Sequence, residues 1–176
     1  RAMLDQMTGR IEASVEAAAF ASPVKTMAQL TELQAALPPR SVLVEYYLLP
    51  DRMIVWTVRA GSVKAIALAE RRAELEKDIG RFRAAIVQRA PEAAYLAAEL
   101  YKRLVEPLEI ANGESIIVVP HKALHYLPFQ ALRGPAQYLI ETQAIAYAPS
   151  ASGYLALVRR QRPDSQRVLA LGNPTS

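Results

Sequence analysis

Residues 115–132, SIIVVPHKALHYLPFQAL, combine the most apolar run of the chain with both of its histidines. The run SIIVV at 115–119 has no polar alternation, which is typical of a strand covered on both faces, as in a parallel sheet flanked by helices. Prolines stand on either side of the histidine pair and disfavour a long helix there. We therefore predict a buried strand over 115–119, followed by a turn that carries His121 and His125.

Upstream of this strand, the runs SVLVEYYLL, MIVWTV and SVKAIAL are rich in β-branched and aromatic residues. The turn signals PDR and RAG separate them, so we predict an antiparallel meander over 41–49, 52–59 and 62–68. Glu45 alternates with apolar neighbours, and one face of the meander is therefore expected to be partly wet. Trp56 is expected to pack in the core or at an interface rather than to bind a ligand.

Helical patterns surround these strands. A charged amphipathic helix is predicted over 70–89, and Pro91 opens a further helix that ends near Pro107. The apolar stripe of the first of these helices is Leu75, Ile79, Phe82 and Ile86. A helix over 151–160 is predicted to have Ser150 as its N-cap. Strand-like pieces are predicted at 138–141, 143–148 and 167–172. Helices that alternate with apolar strands predict an α/β layered domain.

Two helices are predicted before the meander. The first, over 3–21, carries an apolar residue at every fourth position (Met3, Met7, Ile11 and Val15) and ends at Ser22-Pro23. The second covers 27–37, with Thr26 as its N-cap. We interpret residues 1–21 as a helical linker or the end of an upstream helical region, and 22–176 as the domain proper.

Composition limits the possible functions. The 176 residues suffice for one domain with a real core. No apolar run approaches the roughly 18 residues of a membrane helix, and no signal peptide is recognisable, so we expect a cytoplasmic protein without membrane contact. The net charge is +4, but the basic residues are dispersed among acidic ones, which disfavours nucleic-acid binding. The chain has no cysteine, which excludes disulfides, thiolate metal sites and a cysteine nucleophile within it.

The histidine spacing HKALH raises the question of a metal site. Two histidines four residues apart share one face of a helix and can bind zinc. However, Lys122 stands where metalloproteases have their glutamate base, and the chain has no third histidine. We therefore expect neither a metal nor another cofactor.

Serine catalysis and phosphate binding lack their motifs. The chain has no G-x-S-x-G elbow and no glycine-rich phosphate loop, and Ser150 and Ser152 stand beside a helix start, where serine normally caps. The histidines are thus interpreted as architectural, with their ring nitrogens bonded to nearby backbone. His125 keeps one functional role as a candidate site-wall residue, because ligands of open α/β sheets bind beyond the carboxyl ends of the strands. The apolar residues around it are expected to cover the sheet, namely Leu124, Leu127, Phe129 and Leu132.

Four segments in order resemble the CHAT domain, the caspase-like domain often found after tetratricopeptide repeats in bacterial proteins. These are the meander beginning LVEYYL, then VVPHKALHYLPFQAL, YLIETQAIAYAPSAS and VLALGNP. The resemblance covers about residues 20 to 174, and its specificity lies in the ordered series rather than in any one motif. It implies a caspase-like α/β/α sheet and, in some members, cysteine peptidase chemistry.

The family's catalytic histidine lies in a THG-like motif and its cysteine in an ACETG-like motif, and neither motif occurs in this chain. The resemblance therefore implies the N-terminal half of a CHAT domain, with both ends cut from a longer protein and no catalytic residue in this chain. The implied partners are the C-terminal half of the same domain, upstream helical repeats, and a protein or peptide substrate. A cut sheet would also expose an unpaired edge, from which self-association is expected.

Three hypotheses remain open. The longer protein is either a cysteine peptidase or a pseudo-enzyme that serves as a protein-interaction scaffold. A small-molecule hydrolase that uses His125 and a serine is the third possibility.

Overall fold

The computed structural model describes residues 23–159. The predicted helix over 3–21 and the predicted strand over 167–172 lie outside the described residues. Within the described part, the chain forms one mixed sheet of five strands with helices on both of its faces. This arrangement confirms the predicted α/β fold.

The sheet has the order β3-β2-β1-β4-β5. Its strands are β1 (Ser41–Leu48), β2 (Met53–Arg59), β3 (Ser62–Leu68), β4 (Ser115–Val119) and β5 (Ile145–Tyr147). The first three form the predicted antiparallel meander, and β1, β4 and β5 run parallel. Residues 116–119 are all buried, because β4 has a strand on each side and apolar residues over both faces. The continuous apolar run was therefore a correct signal of a central parallel strand.

The helices form two layers over this sheet. They are α1 (Pro23–Ala36), α2 (Arg72–Val87), α3 (Glu92–Leu104), α4 (Leu139–Thr142) and α5 (Ala151–Arg159). Short 3-10 turns lie at Glu106–Leu108, Lys122–Tyr126 and Phe129–Ala131. Residues of α2, α3 and α4 and the last two 3-10 turns pack on one face in a large core, and α1 and α5 pack on the other face in a smaller one. As predicted, Leu124, Leu127, Phe129 and Leu132 are buried in the large core.

The predicted strand over 138–141 is wrong. This segment forms the short helix α4, and its only ladder contact is the single bridge between Arg133 and Tyr138. The carboxylate of Glu141 accepts a hydrogen bond from the Tyr138 backbone N–H at 2.6 Å, and this cap starts a helical turn. The local capping bond thus outweighs the strand propensity of the tyrosine, leucine and isoleucine side chains.

The start of α1 also differs from the prediction. The helix begins at Pro23, so Thr26 lies inside it and is not its N-cap. Proline is favoured in the first turn of a helix, where its missing N–H breaks no intrahelical bond. Pro23 therefore lies in the first turn of α1.

The apolar stripe of α2 turns by one position at its end. Leu75, Ile79 and Phe82 are buried as predicted, but Ala85 is buried in place of Ile86, which is 39% exposed. A 3.6-residue repeat places positions three and four residues further along on the same face, and here the smaller residue faces the sheet.

Candidate functional site

The candidate functional site is the edge of the sheet at which the parallel strands β1, β4 and β5 end. This carboxyl-end edge is formed by the residues that follow each strand, beginning at Leu49, Pro120 and Ala148. In open α/β sheets this edge is where ligands bind. It holds His121 and Ser150, and His125 follows four residues after His121.

His121 joins β4 to β1 through its imidazole ring. Its Nδ1 accepts a hydrogen bond from the Leu48 backbone N–H at 3.0 Å. The Leu49 N–H donates to the Arg52 carbonyl on the β2 side. Because successive N–H groups of a strand point to opposite sides, the Leu48 N–H points to the β4 side. The last β1–β4 residue pair is Glu45 with Val119, so this N–H lies beyond the end of the ladder. The ring nitrogen thus takes the place of a strand carbonyl where the β1–β4 ladder has ended.

The same ring is held by a second contact. It stacks on Tyr47, with ring centroids 4.7 Å apart and planes 11° from parallel. Because Nδ1 is an acceptor in this geometry, the neutral ring carries its proton on Nε2. In this tautomer Nε2 is a donor and does not accept a proton from a nucleophile, so His121 is not set up as a general base.

His125 lies in the exposed part of the 3-10 turn Lys122–Tyr126. Within residues 23–159 its ring forms no hydrogen bond and no ion pair, so the predicted backbone bonding is wrong for His125 and correct for His121. A shallow depression of about 310 Å³ adjoins its neighbour Tyr126. The residues lining it are Glu76, Ile79, Gly80, Arg83, Ala123 and Tyr126, and His125 is not among them. The site-wall role of His125 remains a prediction.

The serines of this edge cap a helix. Ser150 Oγ accepts the backbone N–H of Gly153 at 2.9 Å, and its carbonyl accepts the N–H of Tyr154, which confirms Ser150 as the N-cap of α5. Ser152 Oγ lies 3.2 Å from Ser150 Oγ. The partners found for these hydroxyls among the described residues are each other and the Gly153 N–H, an arrangement typical of a helix cap.

Tyr147 fastens the segment after β4 to the edge strand. Its hydroxyl accepts the Phe129 backbone N–H at 3.1 Å and donates to Gln130 Oε1 at 2.7 Å. Burial raises the pKa of Tyr147 above its ordinary value. The phenol is therefore neutral near pH 7 and serves as a hydrogen-bond bridge rather than as a base.

Glu45 is the ionisable group in the middle of β1. It is half-buried between its Cα partners Trp56 on β2 and Val119 on β4. Desolvation by this burial raises the pKa of the carboxyl group. The face that carries Glu45 is partly wet, as the sequence pattern predicted.

The polar side chains described at this edge are engaged in structural hydrogen bonds. Residues 23–159 contain no cluster of three or more histidine and carboxylate side chains suited to a metal ion. The hydroxyls of Ser150 and Ser152 lie 3.2 Å apart, and Ser150 Oγ also accepts the Gly153 N–H. Sequence analysis missed the roles of Tyr47, Leu48 N–H and Tyr147, because each depends on a partner distant along the chain.

Comparison with known proteins finds a family similarity over part of the chain. Among the described helices, none has the length and apolar character needed to cross a membrane. No curated protein matches the chain. The family model of the CHAT domain matches residues 95–176, a stretch that runs from within α3 through β4, the histidine turn and α5. Over residues 95–176 the chain is therefore similar to the CHAT domain, which supports the resemblance found in the sequence.

Proposed function

We propose that the chain is the non-catalytic N-terminal portion of a longer CHAT-domain protein, which is a caspase-like cysteine peptidase. In this proposal the chain supplies the sheet and one wall of the site, and the catalytic histidine and cysteine lie beyond Ser176. The observation that carries the proposal is the combination of the CHAT family match over 95–176 with the absence of any cysteine from the 176 residues. Cysteine peptidase chemistry requires a thiolate nucleophile, which this chain does not have.

The geometry of the carboxyl-end edge supports a structural role. His121 uses Nδ1 to hold Leu48 N–H, and Ser150 uses its hydroxyl to cap α5. Groups committed to such bonds stiffen the edge on which a site is built, and rigid support is what a catalytic constellation needs from its surroundings. His125 is the exposed residue of this edge that we propose as a wall.

A protein-interaction scaffold is the second candidate function. It is favoured by the state of the sheet edges within residues 23–159. The outer strand β3 is mostly exposed, and at the opposite edge Ala146 and Tyr147 of β5 are exposed. Edge strands with unpaired backbone groups accept further strands from partner chains. Such partners would be the other half of the domain, upstream helical repeats or a second copy of the chain.

A peptidase assay on the full-length protein tests the first proposal and separates it from the second. The probe is a fluorescence-quenched peptide library, and the variant replaces the candidate downstream cysteine by alanine. Cleavage that is present in the parent and lost in this variant supports the peptidase. No cleavage by either protein, together with capture of the same binding partners by both, supports the scaffold and contradicts the peptidase.

Self-association of the chain is the remaining proposal about partners. Light scattering over a range of concentrations measures it directly. The exposed edges predict a mass that rises with concentration. A mass that stays at 19.4 kDa at high concentration contradicts it.

A further inference from the structure

Within the described strands, the sheet face that packs against α1 and α5 carries one charged residue. Leu43, Val58, Ile117 and Val119 of this face belong to the core shared with the two helices. Glu45 lies on the same face, because side chains two residues apart along a strand point to the same side and Leu43 precedes it by two. The remaining strand residues of this face are uncharged, namely Tyr47, Ile54, Trp56, Val63, Ala65, Ala67 and Ala146.

Glu45 has no counter-charge within residues 23–159. Its carboxyl oxygens have neither a hydrogen bond nor an ion pair there, and burial alone acts on its pKa. The two buried glutamates of the described chain differ from it in this respect, because Glu70 pairs with Arg103 and Glu114 pairs with Arg59. A partly buried carboxylate without a partner costs free energy of folding. Such a group is therefore a candidate for binding a ligand.

Trp56 of β2 stands directly beside Glu45. The two residues are Cα partners in the β1–β2 ladder, and paired residues on one face have their Cβ atoms about 5 Å apart. On its other side Trp56 pairs with Ala65 of β3, which is exposed. The indole is half-buried, so part of its surface is accessible beside this small side chain. A carboxylate and an aromatic surface are thus accessible together.

We propose that Glu45 and Trp56 form a binding site for an arginine side chain of a partner protein. A guanidinium group donates two parallel N–H bonds to a carboxylate and stacks on an indole ring. It is also more weakly hydrated than the ammonium group of lysine, which suits a half-buried site. The bound arginine supplies the counter-charge that Glu45 lacks, as Arg103 and Arg59 do for the two buried glutamates. The inference is independent of the peptidase proposal.

The fluorescence of Trp56 tests this site directly, because the chain has no other tryptophan. The probe is N-acetyl-arginine amide, titrated into the 176-residue chain. The comparison is N-acetyl-citrulline amide, which has nearly the same shape but no charge. We expect a saturable change of the Trp56 emission with the arginine probe. The citrulline probe is expected to bind at least about tenfold more weakly, because it cannot form charge-assisted hydrogen bonds with the carboxylate.

Glu45→Gln tests the contribution of the carboxylate. The substitution keeps the size of the side chain and removes a charge that burial disfavours, so the variant is expected to fold. It should bind the arginine probe at least about tenfold more weakly than the parent chain. The matched control is Glu92→Gln, which changes an exposed residue of α3 and should leave the affinity unchanged.

Three results would overturn the proposal. The first is an arginine affinity that is the same for the parent chain and for Glu45→Gln. The second is equal affinity of the parent chain for the arginine and citrulline probes. The third is the absence of any saturable change of the Trp56 emission with the arginine probe.

Discussion

Because His121 accepts a hydrogen bond from the Leu48 N–H, we expect its substitution to lower the free energy of unfolding more than substitution of His125 does. His121→Phe keeps an aromatic ring against Tyr47 but removes the acceptor at Nδ1. Leu48 is 1% exposed, so water does not readily replace the lost partner. A buried backbone N–H without a partner costs about 1–3 kcal/mol, and we expect the free energy of unfolding to fall by that amount. The thermal midpoint should fall by about 2–4 °C for each kcal/mol.

Two further variants make the interpretation specific. His121→Asn places an amide oxygen where Nδ1 lies and is expected to recover part of the loss, because it restores an acceptor without the ring. His125→Ala changes an exposed residue and is expected to alter the free energy of unfolding by less than about 0.5 kcal/mol.

The assay is urea unfolding of the chain followed by circular dichroism, with the midpoint and slope compared for all four proteins. The reasoning is refuted if His121→Phe is as stable as the parent chain. It is equally refuted if His125→Ala costs more than His121→Phe.

Three other predictions concern the rest of the fold. Burial raises the folded-state pKa of Glu45, so the folded protein favours the protonated carboxyl group. The stability that this group contributes is complete below its unfolded-state pKa and is lost as the pH rises through its folded-state pKa. The stability gained by Glu45→Gln over the parent should therefore grow between pH 4.5 and pH 7 in paired urea titrations, and a pH-independent difference contradicts this. Arg103 donates to Glu70 at 2.9 Å and to Asp78 at 2.7 Å, so Arg103→Met leaves the nearly buried Glu70 carboxylate without its counter-charge and should cost roughly 1–3 kcal/mol. The double variant with Glu70→Leu should recover part of that loss, and simple additivity in the cycle argues against coupling. Ser150→Ala removes the cap of α5 and should cost about 1 kcal/mol, while Ser150→Asp should cost less, and equal stabilities measured by thermal unfolding would exclude a capping role.

The parts of the fold that follow from local periodicity could be predicted from the sequence. The buried strand, the meander and the stripe of α2 from Leu75 to Phe82 all rest on side-chain spacing within one element. The prediction of a strand over 138–141 was wrong because a single capping bond to Glu141 outweighed strand propensity. The prediction that Ile86 is buried was wrong, because helical spacing permits either Ala85 or Ile86 to face the core. Only packing on the sheet decides between them.

The contacts of the candidate site were less accessible to sequence analysis. The bond from Leu48 N–H to His121 spans 73 residues, and nothing in the local sequence indicates it. The bridge from Tyr147 to Phe129 and Gln130 likewise depends on β5 lying beside the turn after β4. The prediction that both histidines bond to backbone was correct for His121, because its ring follows the last β1–β4 residue pair and lies beside the Leu48 N–H, to which it bonds.

The most direct test of the architectural interpretation is the cleavage rate of the full-length protein carrying either histidine substitution. With folding verified by circular dichroism, His125→Ala and His121→Asn are each expected to keep kcat within a few-fold of the parent, whereas substitution of the downstream cysteine abolishes cleavage. Cleavage that survives removal of every cysteine, or that is abolished by His125→Ala in a folded protein, would contradict the account.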